Sequence, residues 1–175
     1  GSVYAYRWSG AWVRSLNPMV MPIMLQHTEL DNDMSESGDA FGSSVDMSGP
    51  HAVVGSPKSH GRGQVYFYEG SGWEWDMTQE LELPDEDGQL IGAAVAIDGD
   101  WSVVGVPRGQ YSGGLAGGSA YLLEYDGEWN VIEVLADLET DAELGTSVAL
   151  DRMARSYIAG APGYMDQGGA IIADY

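Results

Sequence analysis

Short runs of apolar residues, bounded by glycine and proline, recur along the chain. Residues 52–54, 102–104 and 157–159 are nearly continuous apolar runs, and other stretches alternate apolar and polar residues with period two. No stretch keeps the 3.6-residue period of an amphipathic helix. Short apolar runs that end at Gly or Pro are typical of buried strands. The pattern therefore predicts an all-β protein.

The strands belong to a unit that repeats with a period of roughly 50 residues. Each unit begins with an apolar residue followed by Gly, passes through two predicted strands, and reaches Gly-x-Pro. A period of this length is typical of one small sheet in an array or propeller. The three copies are Phe41-Gly42 with Gly55-Ser56-Pro57, Ile91-Gly92 with Gly105-Val106-Pro107, and Leu144-Gly145 with Gly160-Ala161-Pro162.

The second half of the unit also recurs. A Gly-rich loop leads into a third strand at residues 64–68, 119–123 and 169–173. A tight turn and a Trp-bearing fourth strand follow, as in Asp126-Gly127-Glu128-Trp129, where Asp-Gly is a strong hairpin signal. Four antiparallel strands per unit are what a β-propeller blade requires.

The repeat count predicts incomplete blades at both ends. Residues 1–6 match a third strand, and residues 9–13 match the hairpin into a fourth. We therefore expect about three and a half repeats in one domain: a partial blade at 1–37, whole blades at 38–88 and 89–141, and a partial blade at 142–175. The last blade lacks its Trp-bearing strand, and an open sheet edge invites pairing with another chain.

The motif Phe41-Gly42-Ser43-Ser44-Val45, followed by Val53-Val54-Gly55-Ser56-Pro57 and by a Gly-initiated third strand, resembles the FG-GAP repeat. The resemblance implies the propeller fold of integrin α-subunit heads, and surface or secreted proteins that bind other molecules. It implies no reaction. Calcium-binding members carry an Asp-x-Asp-x-Asp-Gly loop between the first two strands. The corresponding residues 46–51, 98–101 and 151–155 lack that carboxylate spacing.

Charge excludes some classes of partner. The chain has 27 acidic and 7 basic residues, a formal net charge of −20. Binding nucleic acid needs clustered Lys and Arg, so no nucleic-acid partner is expected.

No run of 18 apolar residues is present, so no membrane insertion is expected. The chain has no Cys, no phosphate loop and no nucleophile elbow, and the prediction is that it is not an enzyme.

One loop has a partial calcium pattern. Asp31, Asp33 and Asp39 fall at positions 1, 3 and 9 of a calcium-type loop, but Glu36 replaces the Gly expected at position 6. The simpler interpretation is a solvated turn between blades. Calcium at this loop is the only cofactor that the residues suggest, and otherwise no cofactor is expected.

The histidines and tryptophans have structural interpretations. His27, His51 and His60 do not form a pair at metal-ligand spacing, and each is expected to be exposed. The Trp residues recur with the unit, which favours packing between blades. An aromatic ring that binds sugar is the alternative.

Residues 16–25 form an apolar, Met-rich arm that has no counterpart in the other units. The arm either caps a blade of its own chain or docks on a neighbouring subunit. In the second case its apolar side chains would be interface residues. These are Met19, Val20, Met21, Ile23, Met24 and Leu25.

Together, the incomplete blades and the arm predict an extracellular, non-catalytic structural or adhesive protein. Its expected partners are copies of itself, joined head to tail into a filament because a heterologous contact that does not close gives a fibre. The alternative is a fragment of a larger cell-surface propeller that recognises a protein or glycan.

Overall fold

The computed structural model of the protein describes residues 2–6, 27–30, 36–71, 74–83, 89–108, 117–136 and 140–175. These residues form thirteen strands and two short 3-10 turns, at Ser59–Gly61 and Tyr164–Asp166. The strands are β1 (Val3–Tyr6), β2 (His27–Leu30), β3 (Ser44–Ser48), β4 (His51–Ser56), β5 (Gln64–Ser71), β6 (Glu74–Glu80), β7 (Ala94–Asp98), β8 (Trp101–Val106), β9 (Ser119–Tyr125), β10 (Trp129–Ala136), β11 (Ser147–Asp151), β12 (Ser156–Ala161) and β13 (Gly169–Asp174).

The strands are grouped in antiparallel sheets that follow the repeat. The first full blade has the order β3-β4-β5-β6, the second blade β7-β8-β9-β10, and the last blade β11-β12-β13. Strands β1 and β2 form a separate two-stranded sheet, which we call the leading pair. The prediction of an all-β fold built from four-stranded, propeller-type blades is confirmed. The described sheets do not form a closed ring.

The leading pair differs from the predicted hairpin. Strand β1 pairs with β2, Tyr6 opposite His27, so that 20 residues separate the two partners. In the first full blade Tyr68 lies opposite Met77 across eight residues. The extra length, which includes the arm, therefore lies between the third and fourth strands rather than before the next blade. Residues 9–13, expected to start the fourth strand, lie outside the described residues.

Neighbouring blades pack face to face, and their apolar side chains form the core. One cluster joins Val53, Val65 and Phe67 of the first full blade to Val104 and Leu123 of the second blade. Another cluster joins the opposite face of the second blade to the last blade. The second blade is thus covered on both faces, which is why its second and third strands are nearly continuous apolar runs.

The apolar-glycine motif forms a tight turn at the start of each blade. The residue before the apolar side chain has positive φ, at Ala40 (60°), Leu90 (60°) and Glu143 (55°). The glycine that follows also has positive φ and donates its N–H to the glycine of Gly-x-Pro, as Gly92 does to Gly105 at 3.2 Å. This hydrogen bond joins the two motifs in all three units, although the two glycines are 13 residues apart in the first two units and 15 in the last.

Replacing Gly105 by Ala should destabilise the fold, because a Cβ there would overlap the backbone carbonyl of Gly145 in the last blade. We expect a loss of roughly 1–3 kcal/mol, the usual cost of overpacking, measured by urea unfolding of dilute protein. Gly160→Ala is the matched control. The equivalent Cβ at Gly160 meets only the side chain of Ser147, which can rotate. Equal losses in the two variants would contradict this account.

Candidate functional site

The contact between neighbouring blades has a glycine on each side. Gly92 of the second blade lies over Gly55 of the first full blade, with the Cα of Gly55 3.1 Å from the position of a Cβ on Gly92. The hydroxyl of Ser44 donates a hydrogen bond of 2.7 Å to the carbonyl of Gly92. We call the pair of residues under the turn, here Ser44 and Gly55, the seat. Because any side chain on Gly55 would overlap the carbonyl of Gly92, the seat requires glycine.

The outer strands of the two whole blades are joined by a second contact. The side-chain amide of Gln79 donates to the carbonyl of Trp129 at 2.8 Å and accepts the N–H of Trp129 at 2.6 Å. The ring of Trp129, 3% exposed, stacks on Phe67 with 4.5 Å between centroids. At this Trp, the prediction of packing between blades is confirmed.

His51 lies inside the same contact, so the expectation that it is exposed was wrong. Its ring is buried, 4.5 Å from the ring of Tyr125 and edge-on to Trp129. The turn before β4 suggested exposure, but the second blade covers it. His60 is exposed, as predicted. His27 belongs to β2, and its side chain is not described.

The last blade has a face that no described residue covers. Alternate side chains along its strands, such as Tyr157 and Ala159, are buried against the second blade. The other set points away from the second blade, and we call it the outward face. Its members are Ser147, Ala149, Asp151, Ser156, Ile158, Gly160, Ala170, Ile172 and Asp174, all exposed except Ser156 and Gly160, which are partly exposed.

The outer edge of the last blade is also open. Strand β13 pairs with β12 along one edge, and within the described ranges no strand pairs with its other edge. In the two whole blades the same edge of the third strand pairs with β6 or β10. Among the described strands, β13 is therefore the outer strand of the last blade, and the prediction of a partial last blade stays a prediction.

Of the three calcium candidates, only Asp39 is described. Its carboxylate accepts the N–H of Glu36 at 2.8 Å and lies 3.4 Å from the hydroxyl of Ser59, so it stabilises a turn. Asp31 and Asp33 lie outside the described residues. In the part of the chain that the structure describes, no group of three or more His, Asp or Glu side chains is placed to hold a metal. A calcium ion at this loop stays a prediction.

The predicted interface residues of the arm, Met19, Val20, Met21, Ile23, Met24 and Leu25, also lie outside the described residues.

Two contacts described above were not predicted at all. The seat serine has a sequence signal, since Ser44 and Ser147 occupy the same place in two units. Gln79 has no such sequence signal, because the fourth strands share little sequence.

No described helix is long and apolar enough to span a membrane.

Tyr157, buried between the second and last blades, is the group with the largest shift of pKa. Burial, with a smaller contribution from the negative charge of Glu133, raises the pKa of its phenol from 10.0 to about 12. Its hydroxyl has no hydrogen-bond partner among the described residues. Folding therefore removes this hydroxyl from water without giving it a hydrogen bond, which lowers the stability of the folded state.

The FG-GAP repeat family model matches residues 30–68, which span the end of the leading pair and the first three strands of the first full blade. This segment matches the FG-GAP repeat, and it contains the Phe41-Gly42 turn and the first seat. The second and last blades share its strand order, turn and Gly-x-Pro glycine. FG-GAP repeats are typical of extracellular and cell-surface proteins. No curated protein matches the sequence.

Replacing Gln79 by Ala should destabilise the contact between the two whole blades. The change leaves the N–H and carbonyl of Trp129 without their partner, at a cost of roughly 1–3 kcal/mol. Chemical unfolding followed by Trp fluorescence measures the loss. Gln167→Ala, at an exposed glutamine in a turn, is the control and should change stability little. A Gln79→Ala variant as stable as the wild type would show that these side-chain hydrogen bonds do not contribute to stability.

Replacing Tyr157 by Phe should alter stability at high pH. The folded state keeps the phenol proton to a pH of about 12, whereas an unfolded tyrosine loses it near pH 10. The contribution of Tyr157 is therefore fully present below pH 10 and falls as pH rises between those values. The variant should lose less stability than the wild type from about pH 9 to about pH 11.5, measured by urea unfolding. A Tyr164→Phe variant, at a less buried tyrosine, should follow the wild type.

Proposed function

We propose that the chain is a non-catalytic, extracellular structural or adhesive repeat protein whose copies join head to tail through their incomplete terminal blades. One observation carries the proposal: the last blade has an open outer edge at β13, among the described strands. Unpaired N–H and carbonyl groups along such an edge are a template for a strand from another chain.

The leading pair offers a strand for this edge. It corresponds to a third and a fourth strand, and within the described residues its own sheet has no first or second strand. In a head-to-tail arrangement, a strand from the leading pair of one copy could pair with the open edge of β13 in the next copy. A contact of this kind is heterologous, and it yields a ring or a filament according to its geometry.

The high negative charge is compatible with this function. Each chain has a net charge of −20, so the copies repel each other. In 0.1 M salt this repulsion is largely screened at distances beyond the Debye length of about 10 Å. Assembly through short-range strand pairing should therefore be stronger in physiological salt than in dilute buffer.

The first test is the mass of residues 1–175 in solution, measured by light scattering over a range of concentrations and salt, with negative-stain images of the same samples. Oligomers or polymers that grow with concentration and salt are expected. A monomer under all conditions would contradict the proposal. It would favour the alternative of a propeller fragment whose function is to bind a protein or glycan.

The arm gives a second test. If residues 16–25 donate a strand to a neighbouring copy, their deletion should abolish assembly while the blades stay folded, as followed by circular dichroism. Deleting residues 109–116, another long connection between strands, is the control and should leave assembly unchanged. Assembly that persists without the arm would exclude the arm as the strand donor, and the leading pair would be the remaining candidate.

A further inference from the structure

An extra residue in strand β6 decides which of its side chains faces the second blade. The extra residue is Thr78, which lies between Met77 and Gln79 and interrupts the pairing with β5. In a regular strand the side chains of Met77 and Gln79 would lie on the same face. With the bulge, Gln79 lies opposite Phe67 and faces the second blade, where its amide binds the backbone of Trp129.

Strand β10 has a bulge at the corresponding place. Ile132 is the extra residue, and it separates Val131, opposite Leu123, from Glu133. Because Leu123 belongs to the cluster between the two whole blades, Val131 faces the first full blade. Val131 is 39% and Ile132 48% exposed. The bulge thus leaves two adjacent apolar side chains exposed beside the contact of the outer strands, and exposed apolar patches are typical of binding surfaces.

The outer strands of the two whole blades enclose a groove where Gln79 bridges them. On one side of the bridge is a cavity of about 390 Å³, whose lining includes Leu81, Trp129 and Val131. On the other side, next to the β9–β10 turn, is a cavity of about 360 Å³. Gln79 and Glu80 line both cavities, so the two are adjacent and form one groove. We call it the rim groove. It lies between two four-stranded blades and at neither end of the described array.

The walls of the rim groove carry negative charge. Glu80 and Glu82 line the first cavity, Glu80 and Glu128 line the second, and all three side chains are exposed. The lining of the two cavities contains no Lys, Arg or His. Carboxylates grouped in a groove concentrate the negative potential of the protein and attract cations. A ligand that fits both the carboxylates and the exposed Val131 has a positive charge on an apolar stem, as Lys and Arg side chains do.

The chain itself is a poor source of such a ligand. It has 27 acidic and 7 basic residues, so a second copy would bring mainly repulsive charge to the groove. The arm at residues 16–25 is apolar and has no charged residue. Charge complementarity therefore favours a basic segment of a different protein.

We propose that the rim groove binds an extended, basic segment of another protein, with one Lys or Arg side chain in each cavity. In an extended segment, side chains at alternate positions point to the same side, about 7 Å apart. One cation lies between Glu80 and Glu82, the other between Glu80 and Glu128, and an apolar residue of the segment covers Val131. Binding at this groove is a function beyond head-to-tail assembly, and it does not require assembly.

The test uses the chain of residues 1–175 and a fluorescein-labelled peptide of alternating lysine and valine, followed by fluorescence anisotropy in about 0.15 M salt. The wild type should bind this peptide and should not bind a matched peptide with glutamine in place of lysine. The variant Glu80→Gln/Glu128→Gln should bind at least fivefold more weakly. The control, Glu36→Gln/Glu74→Gln, removes the same charge at exposed residues outside the groove and should bind as the wild type does.

The control separates the groove from the general negative charge of the chain. Equal weakening in the two double variants, or none in either, would overturn the inference. Displacement of the peptide by an equal concentration of spermine would also overturn it, because a polyamine has the cations without the apolar side chains. All of the substituted residues are exposed, so the variants should keep the melting curve of the wild type. None of these results depends on the mass of the chain in solution, so the proposed assembly stands or fails separately.

Discussion

The close approach of two backbones at each blade contact is the constraint on which the rest of the structure depends. Gly92 and Gly145 can lie over Gly55 and Gly105 only because neither member of a pair has a side chain. This approach aligns the inner strands of neighbouring blades and brings the apolar faces of the second and third strands together. A single methyl group at either glycine would separate the blades and open the core clusters between them.

Because each blade is covered by its neighbour, stability along the array is a sum of blade and contact contributions. The second blade has a neighbour on both faces, and the last blade has one described neighbour. The same alternation of side chains that makes a core in the middle of the array makes an exposed apolar surface at its end. Ile158 and Ile172 lie on this surface without cover from any described residue, and exposed apolar patches of this kind are typical of binding surfaces.

The repeating parts of the fold could be predicted from the sequence, and the contacts made once could not. The apolar-Gly and Gly-x-Pro motifs recur because every contact needs the same glycines, so three copies were enough to identify the blades. The hydrogen bonds of Gln79 with Trp129 and the burial of His51 occur at one contact only. In the sequence these residues resemble ordinary exposed strand and turn residues, because the blade that covers them is distant along the chain. The partner of β1 was missed for a related reason, because a long insertion separates it from β2.

Apolar burial alone does not account for a stable contact between copies. Burying two isoleucines contributes about 3–6 kcal/mol at most, while association costs an estimated 4–15 kcal/mol in lost freedom of motion. The difference has to come from backbone pairing, which the open edge of β13 can supply. A net charge of −20 per chain adds repulsion that salt must screen. These magnitudes favour an interface that pairs a whole strand with an open edge over one that only stacks two faces, and they make ionic strength a natural control of assembly.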